Sequence, residues 1–312
     1  MTPRDMALAA LAATVWGVAF VVTTFGLDSF SAPQLTALRF IVACLPALFI
    51  PRPQIPWRTL IPIGLTLFTG QFLLVFFAYS AGLPPGLASV TQQLQAFFTV
   101  LLAAIFLRDM PTLRQSIGMV IAFCGMGVIA DTVGEDLPAV ALGLAIAAAL
   151  SWGVGNVLVM RLGSTPMFPL MVWLCLVPPL PALLVSRVMD PQQSLLDAIA
   201  AASWQSIAVV FYLGGVATIL GFSIWARLLA RYPAAMVAPF ALLTPCVGLV
   251  TSALVLGERF SPRRYAGIAL ILAGIGVSAL PVARRGTRGG REGTQEIDVR
   301  RPTPGLRLNT DD

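Results

Sequence analysis

The chain has 312 residues, of which 57% are hydrophobic and 11% charged, with a net charge of +6 and a mean hydropathy of +0.86. A soluble globular chain carries roughly 25% charged residues, so a water-soluble domain of this length is excluded. Histidine is absent, and the four cysteines (Cys44, Cys124, Cys175, Cys246) each sit alone in an apolar run. That removes His-based triads, a disulfide framework and a metal site, and neither a metal nor a cofactor is expected.

A bilayer core of ~30 Å takes about 20 apolar residues per helical crossing. Apolar runs between polar breaks give ten spans, at 6–26, 34–50, 60–80, 86–107, 114–131, 138–160, 168–187, 205–228, 233–256 and 264–283. The first is long enough to cross and nine more follow, so it reads as a helix rather than a signal peptide. The loop at 188–204 holds Leu195, Leu196, Ile199 and Trp204, a pattern for a short interfacial helix. Residues 284–312 are rich in Arg, Gly and Thr. They are expected to form a disordered basic tail, because they bury too little apolar surface to order themselves.

An even number of spans puts both ends on one side, and arginine bias chooses it. Arg4, Arg52, Arg58, Arg108, Arg114, Arg161, Arg227, Arg231 and the tail arginines fall on the side of the termini, against Arg187, Arg259, Arg263 and Arg264 on the other. The expected location is the cytoplasmic (inner) membrane of a bacterium, multi-pass, with cytoplasmic termini. The positive charge sits in tail and loops rather than on a folded basic surface, so nucleic acid is not expected as a partner.

The two halves repeat. Trp16-Gly17-Val18 recurs as Trp152-Gly153-Val154, and Leu45-Pro46-Ala47-Leu48 as Leu180-Pro181-Ala182-Leu183. Beyond the long 188–204 loop the offset becomes 149, pairing Thr69 with Thr218, Pro84 with Pro233, Asp109 with Glu258, and Gly118 and Gly125 with Gly267 and Gly274. Five spans per repeat force the second half to enter the membrane from the opposite side, a plan recurrent in transporters that alternate access around a midplane site. The expected fold is an all-α integral membrane protein with ten transmembrane helices as two inverted five-helix repeats. The expected divisions are 1–131, 132–283 and the 284–312 tail.

Several segments resemble the EamA-type branch of the drug/metabolite transporter superfamily. Val237-Ala238-Pro239 through Pro245 to Leu256-Gly257-Glu258-Arg259 is similar to that family's ninth span and the turn after it. Gly86-Leu87-Ala88-Ser89, the run Gln93 to Thr99, Val216 to Gly221 with Ile224-Trp225, and Trp152-Gly153-Val154-Gly155-Asn156 look closest to the O-acetylserine/cysteine exporters of that branch. One departure is Arg108-Asp109, where the family commonly has Gly-Glu. The resemblance implies export of a small amino-acid-like solute. The small multidrug exporters of the superfamily couple to protons through a buried glutamate, and no carboxylate lies mid-span here.

Polar side chains inside spans mark the candidate solute site, because amides are costly against lipid tails. Thr91, Gln95 and Thr99 repeat every four residues and share a helical face, flanked by Gln92; Gln71 is mid-span on the third helix. Asn156 lies one turn after Trp152, whose repeat counterpart is Trp16. Tyr212, Thr218 and Trp225 populate the eighth helix, and either Tyr79 and Trp225 flank the cavity mouth or they belong to the aromatic belt. Arg39 is the one charge well inside a span, a functional hypothesis by default, whose fork suits a zwitterion's carboxylate. The alternative for these groups is interhelical bonding or snorkelling.

Pro46, Pro181, Pro239 and Pro245 interrupt helices that would have to bend, each removing an amide donor. The glycines seven apart on the fifth and tenth spans make smooth faces, for packing against the other half or against a second copy in a homodimer. The expected function is a ten-helix exporter of a small polar, amino-acid-like metabolite working by alternating access. The alternatives are a broad-specificity drug or neutral-metabolite exporter, or a polytopic membrane enzyme. For an enzyme, the chain offers no nucleophile with a base and no acid pair.

Overall fold

The structure is a computed structural model that describes residues 1–163 and 165–279. The tail expected at 284–312 and the end of the last span at 280–283 lie outside the described residues. Helix α1 covers Pro3–Leu27, opened by Pro3 and by the Thr2 hydroxyl, which accepts from the Asp5 N–H at 3.2 Å. Such a cap satisfies one of the four free N–H groups of a helix start. Helix α2 (Ala32–Cys44) tightens into a 3₁₀ turn at Leu45–Leu48 that contains Pro46. Helix α3 (Trp57–Ser80) is wound as a π-helix over Leu65–Gly70. Helix α4 (Pro85–Leu107) is interrupted at Gln92 and Gln93. Helices α5 (Leu113–Ala130) and α6 (Ala139–Met160) follow. Helix α7 (Met167–Met189) breaks after Leu174 and resumes at Pro179, with Pro181 in its new first turn.

A short helix, Leu195–Ala201, forms in the 188–204 loop where the apolar pattern expects one, capped by Ser194 and Asp197. Helix α8 (Trp204–Arg231) is π-helical over Tyr212–Leu220. Helix α9 is split into Ala234–Ala241, containing Pro239, and Leu243–Leu256, with Pro245 in its first turn. Helix α10 is Pro262–Ala279.

Among the described residues, eight helical stretches are long and apolar enough to cross a membrane: α1, α3, α4, α5, α6, α7, α8 and Pro239–Leu256 of α9. Their outward faces are apolar too, with Leu254 80% and Val120 62% exposed, a surface suited to lipid rather than water. The protein is therefore an all-α, multi-pass integral membrane protein. Two of the ten expected spans fall outside this set. The second is apolar but shorter, Ala32–Leu48, because the chain turns at the 3₁₀ segment. The tenth opens on Arg263 and Arg264, and its apolar end reaches residues outside the description.

Helix α1 packs on α8 and α9, α6 packs on α3 and α4, and α2 packs on α7. Close approach needs small residues. A Cβ on Gly17 would stand 2.7 Å from the Thr244 carbonyl, and one on Gly153 would stand 2.9 Å from Phe98 Cβ.

Helices α5 and α10 form the most extensive pair. Gly118 faces the Gly274 carbonyl and Gly125 the Gly267 carbonyl, 2.6 Å from where a Cβ would sit. This corrects one expectation. The glycine faces are consumed inside the chain, so they are not the surface on which a second copy could dock.

Candidate functional site

The candidate residues fall into separate groups. Arg39 is 5% exposed near the middle of α2. Its Nε and Nη2 both donate to the Thr218 hydroxyl, at 3.2 and 3.1 Å, and Thr218 donates onward to the Leu213 carbonyl at 2.7 Å. That last bond spans five residues and lies in the π-helical stretch of α8, so the unusual winding helps aim the hydroxyl at the cation. The guanidinium lies over Phe72, 3.9 Å from the ring centre, within the range of a cation–π attraction. Among the described residues no carboxylate pairs with Arg39.

Aromatic rings continue from there. Trp152 lies 6.3 Å from Phe72 and stacks on Phe222 at 6.4 Å with the planes 19° apart. Trp16 meets the same Phe222 at 5.5 Å and Trp225 edge-on at 5.3 Å, and its Nε1 donates to the Ala217 carbonyl at 2.8 Å. Tyr212 donates to the Val15 carbonyl at 2.8 Å. The two tryptophans of the sequence repeat thus bracket one phenylalanine, Phe222, and Trp152 also meets Phe72, the ring under the buried cation.

The amides form two clusters. Gln71 Nε2 donates to Gln92 Oε1 at 3.3 Å, and Gln92 Nε2 to the Ala145 carbonyl at 3.0 Å, leaving Gln71 Oε1 buried without a partner. The Thr69 hydroxyl is buried and unpartnered as well. Further along α6, Asn156 Nδ2 donates to the Thr99 hydroxyl at 3.0 Å, and that hydroxyl bonds the Gln95 carbonyl at 2.7 Å. Ala145 and Asn156 are eleven residues apart, about 16 Å along a helix, so Gln71 and Asn156 do not share one spot. The expected continuous face Thr91-Gln95-Thr99 is interrupted as well. At Gln92 and Gln93 the backbone bonds shorten to i→i−3 (Gln93 to Val90, Gln95 to Gln92), which turns the two halves of α4 relative to each other.

A cavity of about 520 Å³ opens where α3 turns into α4. It is lined among others by Tyr79, Pro84, Glu258, Arg259 and Arg264. Tyr79 is among the residues that line this cavity, and Trp225 is not one of them. Arg264 is 1% exposed and pairs with Asp136 and with Thr132, whose hydroxyl accepts from Nε at 2.8 Å. The Arg264 guanidinium holds the Asp136 carboxyl below its ordinary value. Burial pushes the Glu258 carboxyl up, against the opposing effect of the Ser252 hydroxyl and the Gly86 N–H. Among the described residues no His, Cys, Asp or Glu group could hold a metal ion.

Phe68, Phe72 and Phe222 escape the sequence reading. Their signal is faint: Phe68 and Phe72 are four apart, and Phe222 is one turn before Trp225.

Residues 5–130 and 139–280 each match the EamA-like transporter family. The chain belongs to that family. It is a polytopic membrane transporter rather than an enzyme. It is 38% identical over 282 residues to a protein named "Probable amino-acid metabolite efflux pump" from Salmonella typhimurium, covering 88% of this chain and 94% of that one. A protein of the same name from Escherichia coli is 36% identical with the same coverage. A solved crystal structure superimposes with a TM-score of 0.63 at 18% identity, covering 93% of this chain and all of the other, which speaks to the fold alone.

Proposed function

We propose that this transporter exports a small amino-acid-like metabolite of the O-acetylserine/cysteine type by alternating access, and that Arg39 takes the solute's carboxylate. The observation that carries this is a buried cation with two donors on one hydroxyl and no acidic partner among the described residues. Removing a charge from water is costly unless it is paired. A bound carboxylate supplies the missing charge and accepts the fork in a bidentate way. Gln71 Oε1, one residue from Phe72, is a free acceptor suited to an ammonium group, and Trp16, Trp152 and Phe222 wall the solute's body. The names of the two efflux pumps agree with this class of cargo. A solely neutral-drug exporter would leave Arg39 without a purpose.

We also read the chain as ten spans in two inverted five-helix repeats, 1–131 and 132–283, with cytoplasmic termini in a bacterial inner membrane. What supports the repeat is that contacts recur under the sequence offsets. Gly17 touches Val247 and Gly153 touches Phe98; Gly118 meets Gly274 and Gly125 meets Gly267. Each contact maps onto its partner, as a two-fold axis requires. Helix breaks beside Pro46, Pro181, Pro239 and Pro245 serve as the hinges.

The test is counterflow in proteoliposomes with a panel of radiolabelled amino acids and their carboxamides. The acids are expected to exchange unchanged and the carboxamides to be rejected. Equal flux of both would remove the carboxylate anchor.

A further inference from the structure

Glu258 does more than end a helix. The chain leaves α9 through Gly257 in the left-handed region, φ 68°, and Glu258 turns back. Its Oε2 accepts from the backbone N–H of Gly86 at 3.1 Å, in the first turn of α4, and also bonds the Ser252 hydroxyl on α9. One carboxylate thus ties the end of α9 to the start of α4, on the wall of the 520 Å³ cavity. The fit depends on glycine: a Cβ on Gly86 would sit 2.9 Å from Glu258 Oε2 and 3.1 Å from Ser252. The 149-residue offset sets Asp109, Ala103 and Ala235 against Glu258, Ser252 and Gly86. Asp109 is one methylene shorter and exposed, and Ala103 has no hydroxyl. The tie is therefore built at one end only.

We propose that Glu258 is a proton-binding clip, taking up a proton as this end of the molecule shuts and releasing it to cavity water as α4 and α9 part. In the closing step one carboxyl O–H bond forms with a proton from water; in the opening step it breaks.

Other charged and titratable groups share the cavity: Tyr79 from α3, Asp28 at the end of α1, Asp136 from the loop between α5 and α6, Arg264 from α10, and Arg259 beside Glu258. Arg264 is already taken by Asp136 and Thr132, so it does not neutralise Glu258. Burial accordingly wins, and the clipped carboxyl sits above its ordinary value. Opening would return it to water and to that ordinary value. The state with the higher pKa binds the proton more tightly, so acid favours the shut end and rising pH favours opening. None of this depends on which solute is carried.

The experiment is electron–electron distance measurement on the full chain in lipid nanodiscs without solute. Spin labels go on Ser80→Cys and Leu254→Cys, with the native cysteines replaced by alanine. Between about pH 5 and about pH 8 the longer-distance fraction is expected to rise roughly threefold or more. Glu258→Gln, which keeps an acceptor but cannot titrate in this range, is expected to give a flat profile. Ser252→Ala removes a donor to the ionised form, so its midpoint is expected to move to higher pH. A flat wild-type profile, a rise toward acid, a profile kept in Glu258→Gln, or a Ser252→Ala midpoint that stays put or moves down would each overturn the proposal. Because no solute is present, such a result leaves the export reading untouched.

Discussion

Arg39 and Thr218 lie 179 residues apart and meet through two donors on one hydroxyl, at 3.2 and 3.1 Å. A guanidinium edge fits two oxygens of a carboxylate, and a single threonine oxygen fills it only in part. Truncating one partner of a buried charged hydrogen bond costs about 2–5 kcal/mol, roughly 30-fold or more in affinity. Arg39→Gln is expected to weaken binding of the exported acid by at least that factor, and Arg39→Lys by less, since it keeps the charge and loses the fork. Calorimetric titration of the purified variants checks both.

The last turn of α4 carries strain that its counterpart avoids. Arg108 occupies the left-handed region at φ 58°, where Gly257 ends α9 at φ 68°. A side chain there costs about 1–2 kcal/mol, and glycine is the usual occupant. Arg108→Gly is expected to raise the melting temperature by a few degrees in a thermal-shift assay, with transport unchanged.

The α5–α10 seam tolerates no added atoms at its contact points and is indifferent beside them. A Cβ on Gly274 would press on the Gly118 carbonyl, whereas one on Gly276 would meet nothing within 4 Å. Overpacking typically costs about 1–3 kcal/mol. Gly274→Ala is expected to lower the melting temperature and Gly276→Ala to leave it unchanged or raise it slightly; equal effects would contradict the seam.

The loop between α5 and α6 is held by Asp136 on buried Arg264. A depressed carboxyl contributes stability above its unfolded pKa, and that contribution fades as pH falls through the depressed value. The loop is therefore expected to keep its protection from hydrogen exchange between about pH 5 and pH 8 and to lose it only below about pH 4. Asp136→Asn is expected to lower protection between about pH 5 and pH 8 and to differ little from the wild type once Asp136 is itself protonated at acid pH, because the neutral amide gives up the charged partner of Arg264.

Much of this was open to reading from one dimension. Apolar runs mark the helices because lipid demands them over about 20 residues. Arg39 stands out since a charge in such a run has no local cause. Gly17 and Gly153 are visible by recurrence. What escaped has no local contrast. The Arg39–Thr218 pairing joins distant helices, and Phe72 and Phe222 are apolar rings among apolar neighbours. The break at Gln92–Gln93 has no proline to announce it. It also defeats the four-residue periodicity that made Thr91, Gln95 and Thr99 look like one stripe. Ala32–Leu48, which is shorter than a crossing, and Pro262–Ala279, which opens on two arginines, show the limit of counting spans by hydropathy alone.

The π-wound stretches of α3 and α8, at Leu65–Gly70 and Tyr212–Leu220, each store slack. A turn that bonds five residues back holds roughly one residue more than its α-helical neighbours. That surplus can slide along the helix by exchanging one hydrogen bond for the next, twisting the segment beyond it without uncoiling anything. Thr218 rides on such a stretch. A shift of register there would swing its hydroxyl off Arg39, so the hydrogen bonding of the buried cation and the winding of α8 would change in a single movement.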